Sequence, residues 1–293
     1  MRYGTSFRGR SNRHLSRARR SRGRNLKGAR RPRRWHHRGV AQAPDAASEA
    51  VKDALLSIMD RKNHWAYPAL TRPGLTRDQL FAHFCHEYLV YVRDFPALLA
   101  RALGATPPLT DVRRSLAENL YEEQTGGLSG TAPHPELFLR MMAGLGFAAD
   151  AFEDDDAWLH PAARRYRDFL VERASGAPWQ AAVSLLTIFV EGSVNERREL
   201  DGTFVRRTGE AAVHEHPLVK HHGCPPEAMT LTRAHAQVEG GHRSEAWRIV
   251  LAHVEQGSHV ARAAVATCEE ALAHWLAYRD GVAERMGLVQ TRP

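Results

Sequence analysis

The segment LTRAHAQVEGGHRSEAW (231–247) sets His235, Glu239 and His242 at i, i+4 and i+7. On a helix, seven residues bring the chain back to within about 20° of its starting direction, so the three side chains share one stripe. Two imidazoles and a carboxylate on one face make a site for a divalent metal, and iron, manganese and zinc all accept such nitrogen and oxygen donors. Gly240 and Gly241, each costing about 1 kcal/mol relative to alanine inside a helix, favour a close approach or a local bulge there. A solvent-facing polar stripe would show the same spacing, since the chain has 17 histidines.

Two other segments hold matching donors. In SLAENLYEEQTGGLSGTAPHPELFLRMMAGLGF (115–147) a helix carries Glu123, a Gly-rich turn follows, and His134 opens the next helix with Pro135 in its first turn. Glu122 and Glu123 project about 100° apart, so only one of them is expected to face the core beside Asn119. In AAVSLLTIFVEGSVNERREL (181–200), Glu191 follows ten uncharged residues on a helix that is apolar all round. A carboxylate buried there needs a partner, which a metal supplies; a helix end emerging into solvent is the other reading. Four helices would then deliver three histidines and three carboxylates, the donor set of a dimetal site inside a helix bundle. Arg197 and Arg198 either meet a substrate carboxylate or are surface charges.

The elements that position these residues are helices. Ser48 is a candidate N-cap for the first. Thr76-x-x-Gln79 reads as a capping box opening a helix with Leu80, Phe84, Tyr88, Tyr91, Val92 and Phe95 at helical spacing, divided at Pro96. Further helices are expected near 109–124, 134–145, 161–174, 178–198, 226–240, 243–256 and 258–285. Residues 203–207 form the one weak strand candidate. The expectation is an all-α, bundle-like domain over 46–293.

Composition divides the chain at residue 45. Residues 1–39 hold fifteen of the 41 Lys and Arg and none of the 33 Asp and Glu, so the remainder is net acidic by seven. The arginine-rich stretch has almost no aliphatic residues and is expected to be a disordered tail. It reads as a solvated extension or as an arm that binds nucleic acid through phosphate contacts. No apolar run approaches the roughly 20 residues of a membrane span, and no apolar stretch follows the arginines as in a signal peptide. Cys85, Cys224 and Cys268 are odd in number and far apart, as expected of free thiols in a cytoplasmic protein.

From about residue 63 to 282, these segments in this order resemble the haem-oxygenase-like diiron oxidases. That group includes the chlamydial death-domain-associating protein and is related to the TenA/PqqC-like helical enzymes of thiamine salvage and PQQ synthesis. The resemblance rests on YLVYVRDFP (88–96), NLYEE (119–123), HPELFLRMMAGLG (134–146) and the His235, Glu239, His242 triple. It implies a haem-oxygenase-like helical bundle, a homodimer, two Fe2+ ions per chain, O2 as co-substrate, and a small amino-acid-like or other small organic substrate in cofactor or natural-product biosynthesis. It also implies that Glu123 and His134 bind one iron with His242 or His235. Glu191, Glu239 and the other histidine would bind the second, with Glu87 as a possible extra ligand. Glu239 stands where the family resembles Asp, and the Glu123 to His134 connection is longer than in near relatives. Val190 precedes Glu191 where the p-aminobenzoate-forming members resemble Tyr. Three alternatives remain: a cofactor-independent PqqC-like oxidase, a TenA-like hydrolase using Cys85 or Cys224, and a nonenzymatic effector acting through the basic tail.

Overall fold

A computed structural model describes residues 46–153, 158–176, 178–254 and 258–290, apart from the side chains of residues 46–48 and 239. The expectations for residues 1–45 lie outside the described residues, as does the Glu239 side chain; the first helix is already formed at Ala46, so Ser48 sits inside it and is not its N-cap. No strand occurs among the described residues, and 203–207 is irregular.

Nine helices carry the architecture of the described part. They are α1 (Ala46–Asp60), α2 (Arg77–Glu87, prolonged by a π-helical segment Tyr88–Val92), α3 (Phe95–Ala105), α4 (Thr110–Thr125) and α5 (His134–Gly144), followed by α6 (Pro161–Arg173), α7 (Trp179–Val183, prolonged by a π-helical segment Ser184–Val190), α8 (Thr230–His253) and α9 (His259–Arg285). The capping box forms as expected. Thr76 Oγ1 accepts from the Gln79 backbone N–H at 3.2 Å, and Gln79 Oε1 accepts from that of Thr76 at 2.9 Å. Two boundaries differ from the sequence expectation. The helix expected over 178–198 ends before Glu191, and the two expected over 226–240 and 243–256 are one helix, α8, running through Gly240 and Gly241. Tertiary packing of α8 on both of its neighbours outweighs the propensity cost of two glycines.

The buried apolar residues form two clusters. The larger joins α1, α3, α4, α6, α7 and α9 with the C-terminal half of α8. The smaller joins α2, α5 and the segment leading into α8. Helix α8 passes from one to the other: Leu231 and Ala234 belong to the smaller cluster, Ala246 and Trp247 to the larger. His235 and His242 occupy the interval between them. The α2 extension makes the same passage, with Tyr88 and Leu89 in the smaller cluster and Val90 in the larger. The polar residues therefore sit in a seam between two apolar masses.

Candidate metal centre

Glu122 and Glu123 close α4, and Gly126 ends it. At φ 64° Gly126 adopts the left-handed conformation, and a Cβ there would lie 2.5–2.7 Å from the carbonyl groups of Thr131 and Ala132. That cap turns the chain back so that His134, first residue of α5, faces the end of α4. Both carboxylates then reach the same imidazole. His134 Nε2 donates to Glu122 Oε1 at 3.0 Å, while His134 Nδ1 lies 2.9 Å from Glu123 Oε1. This corrects the expectation that only one of the two faces inward: Glu122 is fully buried, and Glu123 is largely buried. The second oxygen of Glu122 accepts the backbone N–H groups of Leu128 (2.7 Å) and Ser129 (3.0 Å). Despite the cost of burial, these bonds and that from His134 hold the Glu122 carboxyl below the ordinary range. Spacing alone did not disclose Glu122; its role depends on the return of the 126–131 turn.

The Nδ1 of His134 is buried and makes no aligned hydrogen bond. Its ring N–H on the other side is committed to Glu122, so in the neutral tautomer Nδ1 presents a lone pair to a carboxylate oxygen 2.9 Å away. Two electron-pair donors that close require a cation between them, either a proton or a metal ion. Burial opposes the charged ring, but Glu123 and Glu122 outweigh it and raise the affinity of His134 for a proton above the ordinary value. His235, from α8, completes the cluster. One donor atom each from Glu123, His134 and His235 lie within 4.8 Å of one another, and the two imidazole rings are 5.0 Å apart between centroids.

A cavity of about 190 Å³ opens beside this cluster, lined by Glu123, His134, Glu191, His235 and His242 together with apolar residues such as Val92, Phe95 and Val238. Five of the six residues expected to bind metal therefore line one cavity, and the donor atoms of Glu123, His134 and His235 converge there; the Glu239 side chain is the sixth, outside the described residues. The π-helical segment of α7 delivers Glu191. Its backbone N–H bonds to the Leu186 carbonyl, five residues back, at 3.3 Å, and Gly192 then breaks the helix. A Cβ on Gly192 would meet the Ile188 carbonyl oxygen at 2.2 Å, so only glycine permits this exit. Asn119 Nδ2 donates to Glu191 Oε1 at 2.6 Å, tying α4 to α7 across the cavity. His242 is held below its usual pKa, first by burial and against the pull of Glu123, Glu122 and Glu118. Such π segments, widening the helix where a side chain must be aimed, recur at functional sites.

Glu87 is placed elsewhere. It lines an adjoining cavity and accepts from Arg279 Nη2 at 2.7 Å and from Tyr91 Oη at 3.2 Å, with His83 at 3.6 Å. Arg197 is bound to Asp53 and Asp60 at the surface, and Arg198 is exposed over Phe204. The three cysteines are buried and form no disulfide. Burial raises the Cys224 thiol above its usual pKa and pushes Cys268 up to about 12.

A helical bundle with a buried carboxylate–imidazole cluster between its helices offers the kind of donor set that helix bundles use to hold metal ions. The chain belongs to the haem-oxygenase-like family described as iron-containing redox enzymes, whose family model matches residues 82–276. Among solved structures it is similar to a TenA homolog from Pseudomonas syringae pv. tomato str. DC3000. That likeness has a TM-score of 0.60 and 14% identity, over 82% of this chain and 93% of the other. At that identity the likeness speaks for the fold. A search of curated proteins finds no significant match. No helix among the described residues is long and apolar enough to cross a membrane.

Proposed function

We propose that the protein is a non-haem, iron-dependent oxidase or oxygenase that uses O2 on a small organic substrate, in cofactor or natural-product biosynthesis. The observation carrying this reading is the buried His134 Nδ1 set 2.9 Å from Glu123 Oε1, with Glu122 on the Nε2 side of the ring. Glu123, His134 and His235 would hold one ion; Glu191 and His242, with Glu239, would hold a second. Ferrous iron, if held by these nitrogen and oxygen donors, would supply the electrons for activating O2. The chain's own residues do the rest. Glu122 orients His134 and makes it the better donor, as carboxylates behind metal-bound imidazoles do. Asn119 holds one oxygen of Glu191 and so limits how that carboxylate swings. Val92, Phe95, Leu231 and Val238 give the cavity an apolar lining that excludes bulk water from the reacting groups.

The burial of all three thiols offers no support for a cysteine-nucleophile hydrolase, since a reactive thiolate needs a lowered pKa and access. The test is O2 consumption by protein loaded anaerobically with Fe(II), followed by stopped-flow absorbance. Consumption of O2 by the wild type and its loss in His235→Ala supports the reading. Equal consumption by the loaded variant would remove it.

A further inference from the structure

The cavity that receives Glu87 has a volume of about 320 Å³ and shares Tyr91 and Val190 with the cavity of the metal centre. Among the described residues, its basic and acidic lining consists of Arg279, Lys62 and Glu87. Arg279 is 6% exposed; its Nη2 is paired to Glu87 and Tyr91, and the guanidinium also engages Tyr67. The N–H groups of Nε and Nη1 are buried without a hydrogen-bond acceptor. The guanidinium is held rigidly among aromatic rings, 5.5 Å from Tyr67, 5.3 Å from Trp275 and 4.9 Å from Tyr278. Lys62 stands in the same wall, its Nζ donating to the carbonyl oxygens of Phe189 (2.6 Å) and Gly192 (2.9 Å).

An arginine that only cemented the core would have its donors satisfied, because each buried N–H left without an acceptor is costly. The residue that carries these unused donors lines a cavity large enough for a small metabolite, together with Lys62 and the carboxylate of Glu87. We infer that this cavity binds the carboxylate group of a small organic acid through Arg279, with Tyr67 and Trp275 flanking it. With Glu87 paired to Arg279 and burial pushing the Lys62 ammonium down to about 7, the lining carries little net charge and suits a monoanionic carboxylate better than a phosphate dianion. The inference deepens the proposed function by naming a substrate class. It rests on that reading only for the direction of the rest of the acid, past Tyr91 and Val190 toward the metal centre.

The test uses the full chain stripped of metal by a chelator, so that a ligand cannot bind through iron. Calorimetric titrations with hexanoate, 1-hexanol and inorganic phosphate separate carboxylate recognition from apolar filling and from general anion binding. Hexanoate is expected to bind at least tenfold more tightly than either of the others. Arg279→Gln is expected to weaken it at least tenfold, and Val194→Trp, which fills the cavity from its edge, to abolish it. If Arg279→Gln does not fold, as judged by circular dichroism, the wild-type selectivity and Val194→Trp decide. Equal binding of hexanoate and hexanol, or hexanoate binding unchanged in a folded variant, would overturn the inference. Iron content of a second portion, reloaded anaerobically with Fe(II) and freed of unbound metal, keeps the two readings apart. Iron retention without carboxylate selectivity removes this inference alone, and selectivity without iron retention removes the metal reading alone.

Discussion

His134 Nε2 donates to Glu122 Oε1 at 3.0 Å, and this single bond decides which imidazole nitrogen faces Glu123. With the proton held on Nε2, Nδ1 is left as an electron-pair donor toward the cluster of Glu123 and His235. Glu122 can hold that proton because it is itself fixed by the Leu128 and Ser129 backbone amides. A residue that touches no other candidate ligand thereby sets the chemistry of the site.

Glu122→Gln isolates this effect. The amide oxygen can still accept from Leu128 and Ser129, but the amide nitrogen then faces His134 and donates to Nε2. The imidazole proton moves to Nδ1 and blocks it as a ligand. The variant should fold with unchanged helicity and bind Fe(II), or Co(II) as a spectroscopic substitute, about 10–100-fold more weakly. An unchanged affinity in a metal titration would show that His134 does not ligate through Nδ1.

Arg243 ties the exit of α7 to α8. It donates to Glu196 at 3.1 Å, to Glu199 at 2.7 Å and to the Glu191 carbonyl at 2.9 Å, while Trp247 Nε1 donates to the other oxygen of Glu196 at 2.8 Å. Arg243 and Glu196 are both buried. Arg243→Met leaves Glu196 uncompensated and should lower the unfolding free energy in urea by about 3–5 kcal/mol. A loss below about 1 kcal/mol would place the network among pairs screened by water.

The helices were legible in the sequence because capping residues and prolines mark their ends and apolar spacing marks their faces. His235 and His242 were legible for the same reason, being a stripe on one helix. Glu191 was readable as a carboxylate leaving an apolar run. The π-helical segments at 88–92 and 184–190 were not, since a switch from i+4 to i+5 bonding leaves no mark in residue type. Arg279 was hidden too. It lies on a helix whose face is read from its apolar residues, and its partners Glu87 and Tyr91 are 192 and 188 positions away.

Lys62 should make stability depend on pH. Burial first, then the charge of Arg279, push its ammonium down to about 7 from an ordinary value of 10.5. Between those values the unfolded chain holds the proton and the folded chain does not, so stability rises with pH through that window and is lost as pH falls through 7. From about pH 7 to about pH 9 the wild type should gain on the order of 2 kcal/mol relative to Lys62→Met, measured by urea denaturation. A difference that shrinks with rising pH would mean that Lys62 stays charged in the fold.

The central claim is that Glu123, His134 and His235, with Glu191 and His242 beside them, form an iron site. Anaerobic loading with Fe(II), removal of unbound metal and elemental analysis test it most directly. The account predicts close to two irons per wild-type chain and the loss of at least one in His134→Ala. Less than one iron per wild-type chain, or an unchanged iron content in His134→Ala, would contradict it.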